Sequence, residues 1–243
     1  MWVEDLEPGQ PWTGVWHNLI SCGNCRSLFC AGPGALCHVC GWDCRERQEM
    51  QVHILKSGEA VAVPPIMMGA IDWTTFVLLG LMQREWERPQ SPGDRFDSLP
   101  PDKRPAHRLV IVLLFWSLFE HLMERFFEDT TRELPIGVRG DLLKRYSSIG
   151  SRLDRLYRVL FAVSFHDDLT RLGYADVSAH LMHVHGRRNQ FVHGDPESID
   201  DAVVHAAVKQ LPRVHEAWIA LYNARCTRCG QPRDAHSPRP GGT

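Results

Sequence analysis

Residues 187–196, Arg187-Arg188-Asn189-Gln190-Phe191-Val192-His193-Gly194-Asp195-Pro196, bring two arginines, an amide and a histidine close together, and a His-rich run, His180-Leu181-Met182-His183-Val184-His185-Gly186, leads into them. Arginine stays charged, and its planar fork holds phosphate oxygens in pairs. Histidine titrates near neutral pH and serves as base or acid. An amide either holds a phosphate or orients an imidazole. These types meet the needs of metal-free cleavage at a ribose. A base takes the proton of the 2′-hydroxyl, cations neutralise the phosphorane, and an acid protonates the departing 5′-oxygen. DNA lacks the attacking hydroxyl and is expected to resist.

The same positions read as the end of a helix. Gly194 can take the left-handed conformation past the last helical residue, and Pro196 cannot continue the helix. At about 100° per residue, Asn189 and His193 share a face, which His185 extends one turn upstream. Arg188 and His193 point roughly 140° apart on a straight helix. They meet at one substrate only if His193 lies on the frayed last turn, or if a second chain supplies part of the site. The competing structural role for these groups is to satisfy the orphan carbonyls of the helix end.

The stretch resembles the Arg-x4-6-His signature of the HEPN family in its Arg-Asn-x-x-x-His form. Arg188 fits with four intervening residues and Arg187 with five. The resemblance covers about residues 103–224. It implies a small all-α domain that pairs about a two-fold axis, and a metal-independent endoribonuclease whose composite site lies at the dimer interface. Arg188, Asn189 and His193 would be its catalytic residues. In the family an acidic residue on an early helix often lies near the motif arginine, and Glu120 is the candidate here; the alternative is a solvated helix-face carboxylate. The implied partners are RNA, a second copy of the chain, and an antitoxin or other regulatory protein. The implied role is that of a toxin or an antiviral, anti-phage defence effector. Two other readings stay open. One is a non-catalytic module that binds RNA or a protein partner. The other is a metal-bearing module that targets DNA, with a helical domain that merely dimerises.

The whole chain limits these choices. Its 243 residues suit one or two domains with a real core. A formal net charge of -2 rules out a basic flood, so any RNA contact must use a local patch. Met1-Trp2-Val3-Glu4-Asp5-Leu6-Glu7 is acidic and lacks the pattern of a signal peptide. Leu109 to Phe119 is too short to span a membrane. Ala60 to Met82 is interrupted by Pro64, Pro65 and Asp72, which predicts a buried or interface helix. A cytoplasmic setting without membrane association is expected, with the eight cysteines as metal ligands rather than disulfides.

Cys22-Gly23-Asn24-Cys25 and Cys37-His38-Val39-Cys40 are two Cys-x2-Cys knuckles. Each lets two thiolates reach one ion, and together they complete a zinc tetrahedron with sulfur–zinc distances of ~2.3 Å. Ala31-Gly32-Pro33-Gly34 suits a hairpin tip between them. A short zinc ribbon is expected, its Zn2+ structural because four thiolates leave no open coordination position. His38 reads as a spectator. Cys30 and Cys44 are surplus: buried thiols, alternative ligands or half of a second site. A third knuckle, Cys226-Thr227-Arg228-Cys229, with His236 as a further ligand, makes a second metal site or else belongs to a disordered tail.

The elements that must position these groups follow from periodicity. The predicted class is mainly α, a HEPN-like helical bundle with a small N-terminal β zinc ribbon. The ribbon and its flanking hairpin take residues 15–64, a connecting helix and loop 67–102, the bundle 103–224 and a Cys/His tail 225–243. Gln51–Lys56 and Glu59–Val63 flank Ser57-Gly58 as two strands. Met67–Glu87 reads as a packing helix. Trp2, Trp12 and Trp16 are expected to cover the neighbouring small domain rather than form an exposed contact patch. A long helix follows, with Pro105 in its first turn. Trp116, Phe119, Met123, Phe126 and Phe127 share its wide apolar face. A shorter helix is expected over about Val138–Tyr146. Another, capped by Ser151, carries Leu153, Leu156, Tyr157, Leu160, Phe161 and Phe165 inward, with Arg152, Arg155 and Arg158 on its other side, a row that could follow an RNA backbone but by default is a solvated face. Asp176 or Ser178 starts the motif helix. Ser198 caps the last helix, whose stripe runs from Ile199 to Leu221 and which Pro212 should kink. His166-Asp167-Asp168 carries little weight as a metal site, because consecutive helical side chains diverge.

Overall fold

The computed structural model describes residues 12, 19–22, 25–30, 37, 39–40, 51–54, 60–63, 73–89, 100 and 104–226. Over these residues the chain is mainly helical, and the helices form a bundle around α2 (Val110–Thr130). α2 packs on α1 (Trp73–Glu87), α7 (Ala175–Val192) and α8 (Asp201–Cys226). The apolar stripe read from the sequence is the buried face. Trp116, Phe119, Met123, Phe126 and Phe127 all lie in the core. Each such side chain contributes about 1.5–3 kcal/mol on burial, so this one helix supplies much of the packing energy. α2 begins at Val110, not at Pro105. Residues 107–109 form a turn instead, and the Ala106 N–H donates to the Ile199 carbonyl at 2.8 Å, fixing the entry to the bundle.

α3 (Ile136–Arg145) is followed by an almost unbroken rod of three parts: α4 (Ile149–Ser151), a π-helical turn (Arg152–Leu156) and α5 (Tyr157–Phe161). Ser148, not Ser151, caps the rod. Its Oγ accepts the Ser151 N–H at 3.2 Å, while Ser151 Oγ donates back to the Ser148 carbonyl. The rod ends at Phe161 with Ala162 in the left-handed region, and Ser164 caps a new helix, α6 (Phe165–Arg171). Phe165 still packs edge-on against Tyr157 with 5.6 Å between ring centroids. The apolar stripe therefore runs across a break that periodicity alone does not reveal.

Neither predicted cap of α7 acts as one. Tyr174 precedes the helix without a side-chain cap, Asp176 pairs with Arg213 at 3.2 Å, and Ser178 is buried against His166. Ser198 lies in a 3-10 turn (Pro196–Ser198), where its hydroxyl bonds the carbonyls of Arg187 and Asp195. Asp200 takes over the capping role at α8, accepting the Val203 N–H at 2.9 Å. The α8 stripe of Val203, Ala207, Leu211, Val214, Trp218 and Leu221 is buried as expected, and Pro212 sits within the helix.

Among the described residues four short strands form two antiparallel pairs. β1 (Leu19–Ser21) pairs with β2 (Leu28–Cys30), placing Ile20 opposite Phe29. β3 (Gln51–Ile54) pairs with β4 (Ala60–Val63), placing Val52 opposite Ala62. Trp12 is buried as expected, and the ring contact it makes among the described residues is with Trp86 of α1 at 6.2 Å rather than with the small domain. Trp2, Trp16, His38, Cys44, Cys229 and His236 lie outside the described residues. No described helix is long and apolar enough to cross a membrane.

Candidate functional site

The C-terminal half of α7 borders an open cleft of about 430 Å³. Its opposite walls are α2 and the start of the 149–161 rod. Glu120, Glu124, Ser148, Arg152, His185 and Arg188 are among its lining residues. The structure thus brings Glu120 and Arg188 to one cavity.

Asn189 links the groups of α7. Arg188 Nη1 donates to Asn189 Oδ1 at 3.1 Å, and Asn189 Nδ2 lies 3.0 Å from His185 Nε2. The His185 ring stacks on Trp116, 4.6 Å between centroids and 10° from parallel. Trp116 in turn donates its indole N–H to Glu120 Oε1 at 2.7 Å. Both links are i, i+4 pairs, one on α7 and one on α2, and the Trp116–His185 stack joins them. Burial lowers the pKa of His185 below its ordinary value. The Arg188 charge lowers it further, and Glu120 opposes both.

The two motif arginines do different things. Arg187 pairs with Asp200 at 3.5 Å, tying the end of α7 to the start of α8. Arg188 forms no ion pair among the described residues and lines the cleft instead. Its guanidinium bonds a side chain rather than the orphan carbonyls of the helix end.

Those carbonyls are satisfied by the backbone. The Gly194 N–H donates to the Phe191 carbonyl and the Asp195 N–H to the Gln190 carbonyl, both at 3.1 Å. Gly194 has φ 100, so the helix stops in the paired-bond geometry that a glycine permits. His193 is the last residue before that glycine. It is exposed and is not among the residues that line the cleft.

The sequence pattern marks His185 only as an extension of a stripe and Arg152 as part of a row whose default reading is a solvated face. Arg152 instead leaves the row at the π turn. Its Nε donates to the Tyr146 carbonyl at 2.8 Å, and its Nη1 lies 3.5 Å from Glu124. Arg155 is exposed, and Arg158 pairs with Asp154 on the surface. The available signal for His185 was its i, i+4 spacing to Asn189.

A second cluster lies in the N-terminal module. The sulfurs of Cys22, Cys25, Cys37 and Cys40 all lie within 4.8 Å of one another, with Cys22–Cys40 at 3.7 Å and Cys25–Cys37 at 3.6 Å. Disulfide sulfurs stand at about 2.05 Å, so these are thiols. A tetrahedron with 2.3 Å metal–sulfur bonds has edges of about 3.8 Å, and the cluster fits a metal ion such as zinc. The first knuckle is closed by the Cys22 N–H donating to the Ser27 carbonyl and the Arg26 N–H donating to the Cys22 carbonyl. Arg26 takes φ 64 there, a left-handed position.

The buried Ser27 hydroxyl stands 3.1 Å from Cys25 Sγ and 3.0 Å from Cys37 Sγ. Burial alone would raise the Cys37 thiol. Hydrogen bonds from Ser27, Cys40 and Val39 outweigh it and bring the pKa to about 6. Cys226 sits at the end of α8, its thiol raised chiefly by burial, with the Asp129 carboxylate adding to that. In comparisons with known proteins, no family model, curated protein or solved structure matches this chain.

Proposed function

We propose that the chain is a metal-independent endoribonuclease of HEPN type carrying a structural zinc module. The observation that supports this most is Arg188: an arginine with no carboxylate partner among the described residues, held by Asn189 at the edge of an open cleft. Such a guanidinium is placed to take phosphate oxygens. His193 stands at the end of the same helix, exposed and outside the cleft of its own chain. That position suits a composite site, in which a two-fold axis brings a second chain's His193 to the reacting phosphate.

One imidazole takes the 2′-hydroxyl proton, and the freed oxygen attacks phosphorus. The P–O5′ bond breaks, and a protonated imidazole gives its proton to the 5′-oxygen. The products are a 2′,3′-cyclic phosphate and a 5′-hydroxyl. Arg188 neutralises the phosphorane, and Asn189 orients Arg188. The toxin or anti-phage role, and an antitoxin or other regulator as partner, belong to this proposal. The four-cysteine cluster holds one Zn2+ as a fold element, because four thiolates leave no open coordination position.

A second reading, RNA or protein binding without cleavage, draws on the same placement of His193 outside the cleft. RNA incubated with the protein in EDTA separates the two. Cleavage with cyclic-phosphate ends, lowered about 10²–10⁴-fold by His193→Ala, is the expected result. Intact RNA, or an unaffected variant, would leave the binding reading.

A further inference from the structure

Arginine carries only donors. Asn189 must therefore turn its oxygen to Arg188, as the 3.1 Å contact has it. Its NH2 then faces His185 Nε2 at 3.0 Å and has to donate. It follows that His185 Nε2 is the unprotonated nitrogen and that the ring carries its proton on Nδ1.

We propose that His185 is a positioning residue for the cleft: through Asn189 it holds Arg188 in place, and it does so only as the neutral Nδ1–H tautomer. The proposal rests on the reading of Arg188 as the phosphate-binding group. A doubly protonated ring has two donors and no acceptor. The Asn189 amide would then rotate to present its oxygen to the ring, and Arg188 would lose its only hydrogen-bond acceptor among the described residues. The groups around the ring keep it in place or bear on its charge. Trp116 of α2 stacks on it, and Glu120, hydrogen-bonded to that indole, favours the charged form. Arg188 opposes the charged form, while Glu124 of α2 and Arg152 of the π turn share the cleft and pair with each other. Burial and Arg188 prevail over Glu120, so the ring stays neutral near pH 7.

The test uses the full chain, ¹⁵N-labelled, with long-range proton–nitrogen correlations of the imidazole and of the Arg188 guanidinium. Wild type should show an unprotonated Nε2 at pH 7 and an Arg188 side chain restricted in its rotation. His185→Phe keeps an aromatic ring against Trp116 but has no acceptor, and should free Arg188. His185→Gln offers an amide oxygen and should retain the restriction. A protonated Nε2 in wild type, or an Arg188 equally restricted in His185→Phe, overturns the proposal. Where RNA is cleaved, His185→Phe should slow turnover by up to about 10²-fold, the reach of a small misplacement. His185→Gln should restore most of it. Turnover as slow in His185→Gln as in His185→Phe counts against the proposal. If wild type cleaves no RNA while the tautomer and the arginine signals behave as expected, the ribonuclease reading fails and the relay stands.

Discussion

Asn223 of α8 treats Leu28 as a neighbouring strand would: its Oδ1 accepts the Leu28 N–H at 2.6 Å, and its Nδ2 donates to the Leu28 carbonyl at 2.7 Å. One amide thus satisfies both backbone groups of a fully buried β2 residue and locks the cysteine module onto the end of the bundle. Asn223→Ala leaves two inward backbone groups without these bonds and should cost about 2–3 kcal/mol, the sum of two such losses. Urea unfolding measures it. Chelation should lower the thermal midpoint of the helical signal in wild type and much less in Asn223→Ala. An equal fall in both would show that the link does not transmit metal loss.

Acid should unfold the protein through two histidines that the fold holds neutral. Burial lowers both His180 of α7 and His215 of α8 from 6.5 to about 4. Above pH 6.5 folded and unfolded chains are equally uncharged at these sites, and stability is fully present. Between 6.5 and 4 the unfolded chain binds protons that the folded one refuses. Stability then falls with pH by about 1.4 kcal/mol per unit for each group. Below 4 the folded chain also binds them and this loss levels off. His180→Phe, whose ring would meet Phe115 where the imidazole now stands edge-on at 5.5 Å, should flatten the dependence. Urea midpoints at pH 7, 5.5 and 4.5 that fall as steeply in the variant as in wild type would remove His180 from the account.

Much of this arrangement was legible because it depends on short spacings. The α2 face and the two N-terminal knuckles each follow from a repeat of three or four residues, and the structure places those side chains together. The stop at Gly194 was legible from residue type instead, a glycine followed two positions on by a proline. The misplaced caps have a different origin. Ser148 and Ser151 stand three residues apart and both suit a cap, so only the rod's packing decides between them. Arg187 and Arg188 are equivalent in the motif, and what separates them is Asp200, beyond a turn. The π turn that brings Arg152 into the cleft has no compositional mark at all.

Asp168 shows what a charged triplet on a helix hides. His166 bonds Ser178 and Asp167 bonds Ser164, while Asp168 is fully buried. It accepts from Tyr157, from Arg171 at 2.6 Å and from Arg225 Nε at 2.6 Å, joining α5, α6 and α8. Burial would raise this carboxyl, and its three partners outweigh that and hold it below the usual range. Asp168→Ala should cost about 3–5 kcal/mol, since it strands buried donors and leaves the Arg225 charge uncompensated. Tyr157→Phe should cost only about 1 kcal/mol, one hydrogen bond. Equal losses in the two variants would place the effect in packing rather than in the carboxylate.

The motif arginines give the sharpest separation of stability from chemistry. Arg187 engages Asp200 at 3.5 Å with both side chains partly exposed, a pair worth at most about 1 kcal/mol. Arg188 engages only Asn189 among the described residues and faces the cleft. Arg187→Ala should therefore lower the urea midpoint slightly and leave RNA cleavage near wild type. Arg188→Ala should leave the midpoint unchanged and lower cleavage about 10²–10³-fold, the usual worth of one donor aimed at developing negative charge. Both are read on the same preparations, by denaturation and by cleavage in EDTA. If Arg187→Ala abolishes cleavage while Arg188→Ala retains it, the cleft described here is not where phosphate is held, and the reacting groups must be sought on the α8 side of the helix end.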